Sequence, residues 1–211
     1  MYKNYIKRLF DIIFSLLLMA LILPIILVFG ILIKIEDGGP IFYFGERLGR
    51  NKKIFKMFKL RSMKVNAPDI RNKDGSTYNA VDDPRLTKIG KFIRKTSIDE
   101  LPQIINILKG DMSFIGPRPD LPEHLYCYEK DEVRKLEVLP GVSGYNQAYH
   151  RNAVIWKERL KNDVYYVDHI SFIMDLKILF KTIFIITLRR GVYNGKTVTK
   201  SVSEDNIYRA T

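Results

Sequence analysis

The stretch 12-IIFSLLLMALILPIILVFGILI-33 decides how the rest of the chain is read, because it holds no formally charged residue over 22 positions. At about 1.5 Å per residue it would cross the roughly 30 Å hydrocarbon core of a bilayer. It reads as a membrane segment. A secretory signal has a shorter apolar core that ends in a small-residue cleavage site. Here 34-KIED-37 follows instead, so the segment is expected to be retained.

Both flanks of the segment are basic. Lys3, Lys7 and Arg8 precede it, and Arg47, Arg50, Lys52, Lys53, Lys56, Lys59, Arg61 and Lys64 follow. A helix crossing the bilayer would show the positive-inside difference between its ends. A segment that enters and returns on one face removes the conflict. Pro24 offers the place to turn, because it lacks an N–H and clashes with the carbonyl four residues back. A kinked single span is the alternative, since transmembrane helices tolerate Pro; the residues alone leave both open.

The formal net charge of +12 over 211 residues fits nucleic acid, anionic lipid or a phosphorylated substrate. Cys127 is the single cysteine, which excludes an internal disulfide, and three scattered histidines make no zinc pattern.

Downstream, 41-IFYF-44 and 54-IFKMFKL-60 read as a β-hairpin with a long loop, the second strand competing with an amphipathic helix on the membrane. Residues 64–85 are polar without apolar period, a loop expected to be functional or disordered. Helices are expected over about 86–95, 97–109 with Gly110 as C-terminal cap, onward to about 138, and over 153–167. Three prolines in 113–124 argue for a rigid connection. Residues 170–190 are apolar but interrupted by Asp175, Lys177 and Lys181, so a buried or interfacial helix is expected rather than a span. The polar tail 191–211 includes 191-GVYNGKT-197, which has three residues between its glycines where a P-loop needs four.

The stretch 96-TSIDELPQ-103 sets Asp99 beside Glu100. Its plain reading is a helix start, with Ser97 and Glu100 as a capping box and Asp99 at the positive end of the dipole. Its surroundings suggest more. Arg85, Lys88, Lys91, Arg94 and Lys95 precede the pair, and Pro117-Arg118-Pro119 follows. A carboxylate held among cations is expected to stay ionised, which suits a nucleophile or a magnesium ligand, and carboxylates do attack phosphorus. Arg118, stiffened by its prolines, could be aimed at a phosphate, its plain reading being a turn. Lys59 and Arg61 in 58-FKLRSM-63 alternate with apolar residues and read otherwise as a solvated strand face.

Together, Lys7-Arg8 with Asp11, FKLRSM, 82-DDPRLTKIGKFIRKTSIDELPQIINILKGDMSFIGPRP-119, PGVSG (140–144) and SFIMDLKIL (171–179) resemble the bacterial sugar transferases that act on polyprenyl phosphate, and more narrowly the small monotopic phosphoglycosyl transferases. The resemblance runs from about residue 3 to 188. It implies an α+β, mostly helical fold: a re-entrant membrane helix over 1–36 broken at Pro24, a catalytic domain over 37–190 with a small β-hairpin and amphipathic interfacial helices, and a loose tail. The family commonly has Ser before this proline, where Leu23 stands here.

The resemblance also implies a reaction. Asp99 attacks the β-phosphate of a nucleoside diphosphate sugar, expected to be a UDP-sugar, and undecaprenyl phosphate then takes the sugar phosphate. Mg2+ is the implied cofactor, with Asp99 and Glu100 as its protein ligands. Arg118, then Arg94, Lys59 and Arg61, are the implied phosphate ligands, and Asp175 matches an acidic residue of unspecified or structural role. The implied partners are the donor, the lipid acceptor and membrane lipid, with a homodimer as an option and no nucleic acid. The implied location is the bacterial inner membrane, with the catalytic domain in the cytoplasm. Between PGVSG and SFIMD, the RNA-x-x-W pattern at 151–156 is similar to members using amino-sugar nucleotides, and His150 reads as solvated.

Overall fold

The computed structural model describes residues 1–70, 78, 83–150 and 154–187. The expected tail 191–211, most of the 64–85 loop and the Arg-Asn-Ala of the RNA-x-x-W pattern lie outside them. The fold is mostly helical, with two separate two-stranded sheets. After a π-helical turn at Tyr2–Ile6, a single helix α1 runs over Lys7–Asp37 and ends at Gly38, whose φ of 71° is the left-handed region that glycine fits. Pro24 lies inside α1, and helical structure continues on both sides of it. Its missing N–H removes the donor that Ala20's carbonyl would use.

Most of α1 between Leu16 and Ile25 is exposed, Leu17 and Leu21 by 64% and 68%. Towards each end one face packs on the rest of the chain, burying Asp11 and Ser15 at one end and Ile26, Gly30 and Ile33 at the other. Near the N-terminus Arg8 donates to the carbonyls of Ile107 and Leu108, and Asp11 accepts from Ser113 Oγ and the Phe114 N–H. Near the C-terminus Ile26 and Ile33 are buried with Leu60 and Ile93. A Cβ on Gly30 would stand 3.0 Å from Ile41. Both ends of the apolar helix therefore rest on the same domain.

The hairpin forms as expected but is longer on its first side. Strand β1 covers Phe42–Leu48 and β2 Ile54–Leu60, in antiparallel register from Phe42 opposite Leu60 to Leu48 opposite Ile54. The turn shrinks from the nine residues read as loop to Gly49–Lys53, because Leu48 is a buried residue that continues the strand. Helix α2 (Lys88–Lys95) is capped twice. Thr87 Oγ1 accepts from the Gly90 N–H, and Glu36 at the end of α1 accepts from the N–H groups of Lys88 and Ile89.

The expected helix over 97–109 is corrected to a 3-10 turn at Ile98–Glu100 and a short α3 at Gln103–Lys109, closed as foreseen by Gly110. The rigid connection contains strand β3 (Ser113–Ile115), which pairs in parallel with β4 (Gly141–Ser143) in PGVSG. The glycines of these two motifs meet. A Cβ on Gly116 would lie 2.4 Å from the Leu139 carbonyl and 2.8 Å from the Gly141 nitrogen, both backbone atoms.

The helix expected onward to 138 is likewise replaced by 3-10 segments at Pro122–Cys127 and Glu132–Glu137. Then follow α4 (Tyr145–Tyr149), α5 (Trp156–Asp168) and α6 (Phe172–Thr187). On α6, Ile178 is fully buried and Asp175 nearly so, while Ile173, Phe180 and Phe184 are more than half exposed. One face packs and an apolar face looks outward.

Gly116→Ala forces a methyl into fixed backbone, and overpacking of this kind costs about 3 kcal/mol. It is expected to lower the thermal unfolding midpoint of the detergent-solubilised protein sharply, whereas Gly38→Ala, with open space around it, is expected to lower it only by the left-handed strain of about 1 kcal/mol.

Candidate active site

Ser97 does not cap. Its backbone has φ 57° and ψ 18°, and its side chain makes no cap hydrogen bond, so the capping box is absent. The left-handed turn instead lifts Ile98, Asp99 and Glu100 out of helical register. Ile98 and Leu101 go down against the core of Leu60 and Ile93, and the acids face the other way. The dipole argument for Asp99 falls with the cap, since α3 starts only at Gln103.

Strand β2 brings the first cation. Asn106 of α3 accepts from the Phe58 N–H at 2.9 Å and donates to the Lys56 carbonyl at 2.8 Å, clamping β2 beside the 3-10 turn. Lys59 Nζ then lies 2.7 Å from Glu100 Oε1, and Arg118 Nη2 lies 3.4 Å from the same oxygen. Burial would raise the pKa of Glu100, but Lys59 and Arg118 override it and hold the carboxyl at about 2.

Asp99 is more buried, at 5% exposure. Among the described residues no side chain or backbone N–H donates to its carboxylate. Burial pushes its pKa up to about 6; Lys59 opposes the shift and the adjacent Glu100 charge adds to it. The neighbouring cations in the sequence suggested an ionised Asp99. The structure shows an acid that is ionised at neutral pH and titrates not far below it.

Arg118 is 55% exposed and free to meet a ligand. Its backbone is held from behind by Lys135, which donates to the Arg118 carbonyl at 3.2 Å and pairs with Asp120 and Asp163 at 2.7 and 2.8 Å. Burial works against the Lys135 charge, and the two carboxylates more than offset it, so its pKa is raised. Tyr128 donates a further hydrogen bond to Asp120. Arg94 stands 3.9 Å from Asp83, with a buried Nη1 that has no hydrogen-bond partner. Its charge, with those of Lys59 and Arg118, bears on Asp99.

Two residues singled out in the sequence are engaged elsewhere. Arg61 is buried, its guanidinium shared among Asp37 and the carbonyls of Pro40 and Met63. It fastens the end of α1 to the hairpin rather than facing the acid pair. Asp175 takes Lys7, Tyr2 and Tyr166 at 2.5–2.6 Å, so it is paired with a cation and ties α6 to the N-terminal end of α1.

The bacterial sugar transferase family matches residues 2–189. The chain belongs to that family. It is 40% identical to the uncharacterized sugar transferase EpsL of Bacillus subtilis over 92% of this chain and 93% of that protein. It is 37% identical to the undecaprenyl-phosphate galactose phosphotransferase of Salmonella typhimurium, over 90% of this chain but 42% of that longer protein. A putative undecaprenyl-phosphate N-acetylgalactosaminyl 1-phosphate transferase of Bacillus subtilis is 55% identical over 56% of the chain. The protein is a transferase.

Sequence reasoning missed Asn106, Lys135 and Asp163, which act through the groups they hold. Their signal in the chain is weak, because Lys135 reads as an exposed lysine until Asp120 and Asp163 are brought to it. Asp120, directly after Pro117-Arg118-Pro119, was the one foreseeable member.

In the metal-free protein Asp99 is expected to titrate near pH 6 while Glu100 stays charged, as NMR of the carboxyl groups would read. Stability follows from the same shift. The folded-state pKa of Asp99 is raised, so ionisation penalises folding above the unfolded value and fully so above about 6. Asp99→Asn is therefore expected to stabilise the protein at pH 8, by on the order of 2 kcal/mol, and to lose that gain by pH 4, as read by thermal unfolding at both pH values.

Proposed function

We propose that this enzyme transfers a sugar 1-phosphate from a nucleoside diphosphate sugar, a UDP-sugar first, to undecaprenyl phosphate, through a covalent intermediate on Asp99. The carrying observation is the division of labour in the acid pair. Glu100 takes both Lys59 and Arg118, while the buried Asp99 carboxylate has no donor among the described residues. A carboxylate without such partners and with a raised pKa is the better nucleophile; one whose Oε1 already meets two cations is the poorer.

In the first half-reaction an Asp99 oxygen bonds to the β-phosphorus and the bond from phosphorus to the bridging oxygen breaks, releasing nucleoside monophosphate. In the second, a phosphate oxygen of the lipid attacks the same phosphorus and Asp99 leaves as carboxylate, giving undecaprenyl diphosphate sugar. Arg118, Lys59 and Arg94 offset the repulsion between the carboxylate and the anionic donor. Arg118 is the first phosphate ligand because it is exposed and weakly held.

Among the described residues no group of three or more His, Cys, Asp and Glu side chains gathers to hold a metal. Two adjacent carboxylates with substrate phosphates and water suit Mg2+, which rarely takes an all-protein cage. Asp99 and Glu100 would hold it, and when bound it neutralises charge on the diphosphate.

The membrane reading rests on α1. A helix crossing a bilayer has its ends about 30 Å apart on opposite faces, and one domain cannot hold both. Here Arg8 and Asp11 bind the domain at one end, and Glu36 and Asp37 at the other. That supports entry and return on one face, with the bend at Pro24, and α6 lying at the interface on its exposed apolar face. The domain then faces the cytoplasm of the inner membrane, where nucleotide sugars are made available. The relatives named for undecaprenyl phosphate support the acceptor.

Incubation of solubilised protein with a panel of UDP-sugars, Mg2+ and undecaprenyl phosphate is expected to release UMP. Asp99→Asn is expected to abolish release and, in intact-mass measurement without lipid, the sugar-phosphate adduct. Equal adduct on both proteins would overturn the nucleophile.

A further inference from the structure

The turn between β1 and β2 is a tight one, closed by the Lys53 N–H donating to the Arg50 carbonyl, and favoured hairpin turns of this kind take positive φ at both central residues. Asn51 and Lys52 both have positive φ, 57° and 63°, although neither is glycine. Asn tolerates this conformation, but Lys does so at a cost of about 1–2 kcal/mol. The turn packs across the 3-10 segment Glu132–Glu137, and between them lies a cleft of about 190 Å³ lined by Asn51, Lys52, Lys130, Val133, Arg134 and Leu136, with Glu137, which pairs with Arg134, at its border.

Three cations border this cleft. Arg134 is already paired with Asp168 and Glu137. Lys52 and Lys130 form no ion pair with any acid among the described residues, and both are exposed. Leu136 also lines a second, narrow depression together with Gly49 and Arg118. Leu136 is common to both, so the cleft adjoins the depression that Arg118 borders.

The size is informative. The cleft is several times the roughly 30 Å³ share of one water, yet smaller than the 300–1,000 Å³ of a site that encloses a whole drug-sized ligand. It suits one end of a longer molecule whose other end is held at Arg118. Two unpaired lysines select a phosphate, Val133 and Leu136 offer an apolar wall to a planar ring, and the Asn51 carboxamide presents a donor and an acceptor, the complement of an imide edge.

We propose that this cleft holds the nucleoside monophosphate half of the donor, the part that leaves, and that Asn51, Lys52 and Lys130 set the preference for the base. The inference rests on the donor reading above, in which Arg118 receives the diphosphate. In-line displacement puts the leaving oxygen opposite the attacking carboxylate, so the departing nucleotide needs a seat beyond Arg118.

The test uses the full-length solubilised protein and binding as well as turnover. Calorimetric titration with UMP is compared among wild type, Lys52→Ala/Lys130→Ala, Asn51→Ala and, as a charge control on an exposed face of α5, Lys161→Ala. Titrations with AMP and inorganic phosphate run in parallel. The double variant is expected to weaken UMP binding and raise KM for the UDP-sugar about tenfold or more, with kcat and KM for undecaprenyl phosphate little changed. Asn51→Ala is expected to narrow the preference for UMP over AMP, and the control to match wild type.

Unchanged UMP affinity in the double variant, or inorganic phosphate competing as well as UMP, would overturn the subsite. Those results leave the transfer reaction standing if Asp99→Asn still abolishes UMP release. Absence of UMP release from wild type would instead strike the reaction itself, while the titration would still judge the cleft. Unfolding midpoints of all variants guard against misfolding as the cause.

Discussion

Everything in this protein depends on holding one apolar helix by both ends. Arg8 closes the carbonyl end of α3 and Glu36 closes the amide end of α2, so α1 supplies the missing hydrogen-bond partners of two helices that are too short to stand alone. The acid pair lies on the few residues between those two helices. The position of Asp99 is thus set by contacts to the apolar helix, and in the proposed membrane arrangement the depth of that helix fixes the depth of the chemistry. The proposed reaction, which joins a water-soluble donor to a lipid phosphate, needs such a coupling, since the reacting phosphorus has to meet both.

Around the acid pair the arrangement is economical in charge. Glu100 gathers Lys59 and Arg118 from distant parts of the chain, and Lys135 with Asp120 and Asp163 steadies the backbone that carries Arg118. Asp99 stays outside these pairings, in a desolvated position where its charge is costly. In the role proposed for it, activity and stability pull in opposite directions at this residue.

The large features were legible in the chain. The uncharged run of α1, the hairpin around Gly49–Lys53, the Gly110 stop and the outward apolar face of α6 each follow from a local pattern. What was not legible came from distance. Ser97 and Glu100 have capping-box spacing, but burial of Ile98 and Leu101 against Leu60 and Ile93 forces a left-handed turn that breaks the box. The 3-10 segments at 122–127 and 132–137 took the place of a helix because Lys135 is drawn inward to two carboxylates. Lys59 and Arg61 look alike in FKLRSM, yet one meets Glu100 and the other Asp37, a difference that only the pairing of β2 with its neighbours decides.

The double attachment of α1 also bears on how the protein can be divided. Removing residues 1–36 would uncover the side chains of Leu60 and Ile93, strip Glu36 from the start of α2, and leave the carbonyls of Ile107 and Leu108 and the N–H of Phe114 without their partners. The anchor is part of the interior. A cut at residue 36 would open shared interior, so the apolar helix and the rest of the chain are joined by packing and hydrogen bonds as well as by the backbone.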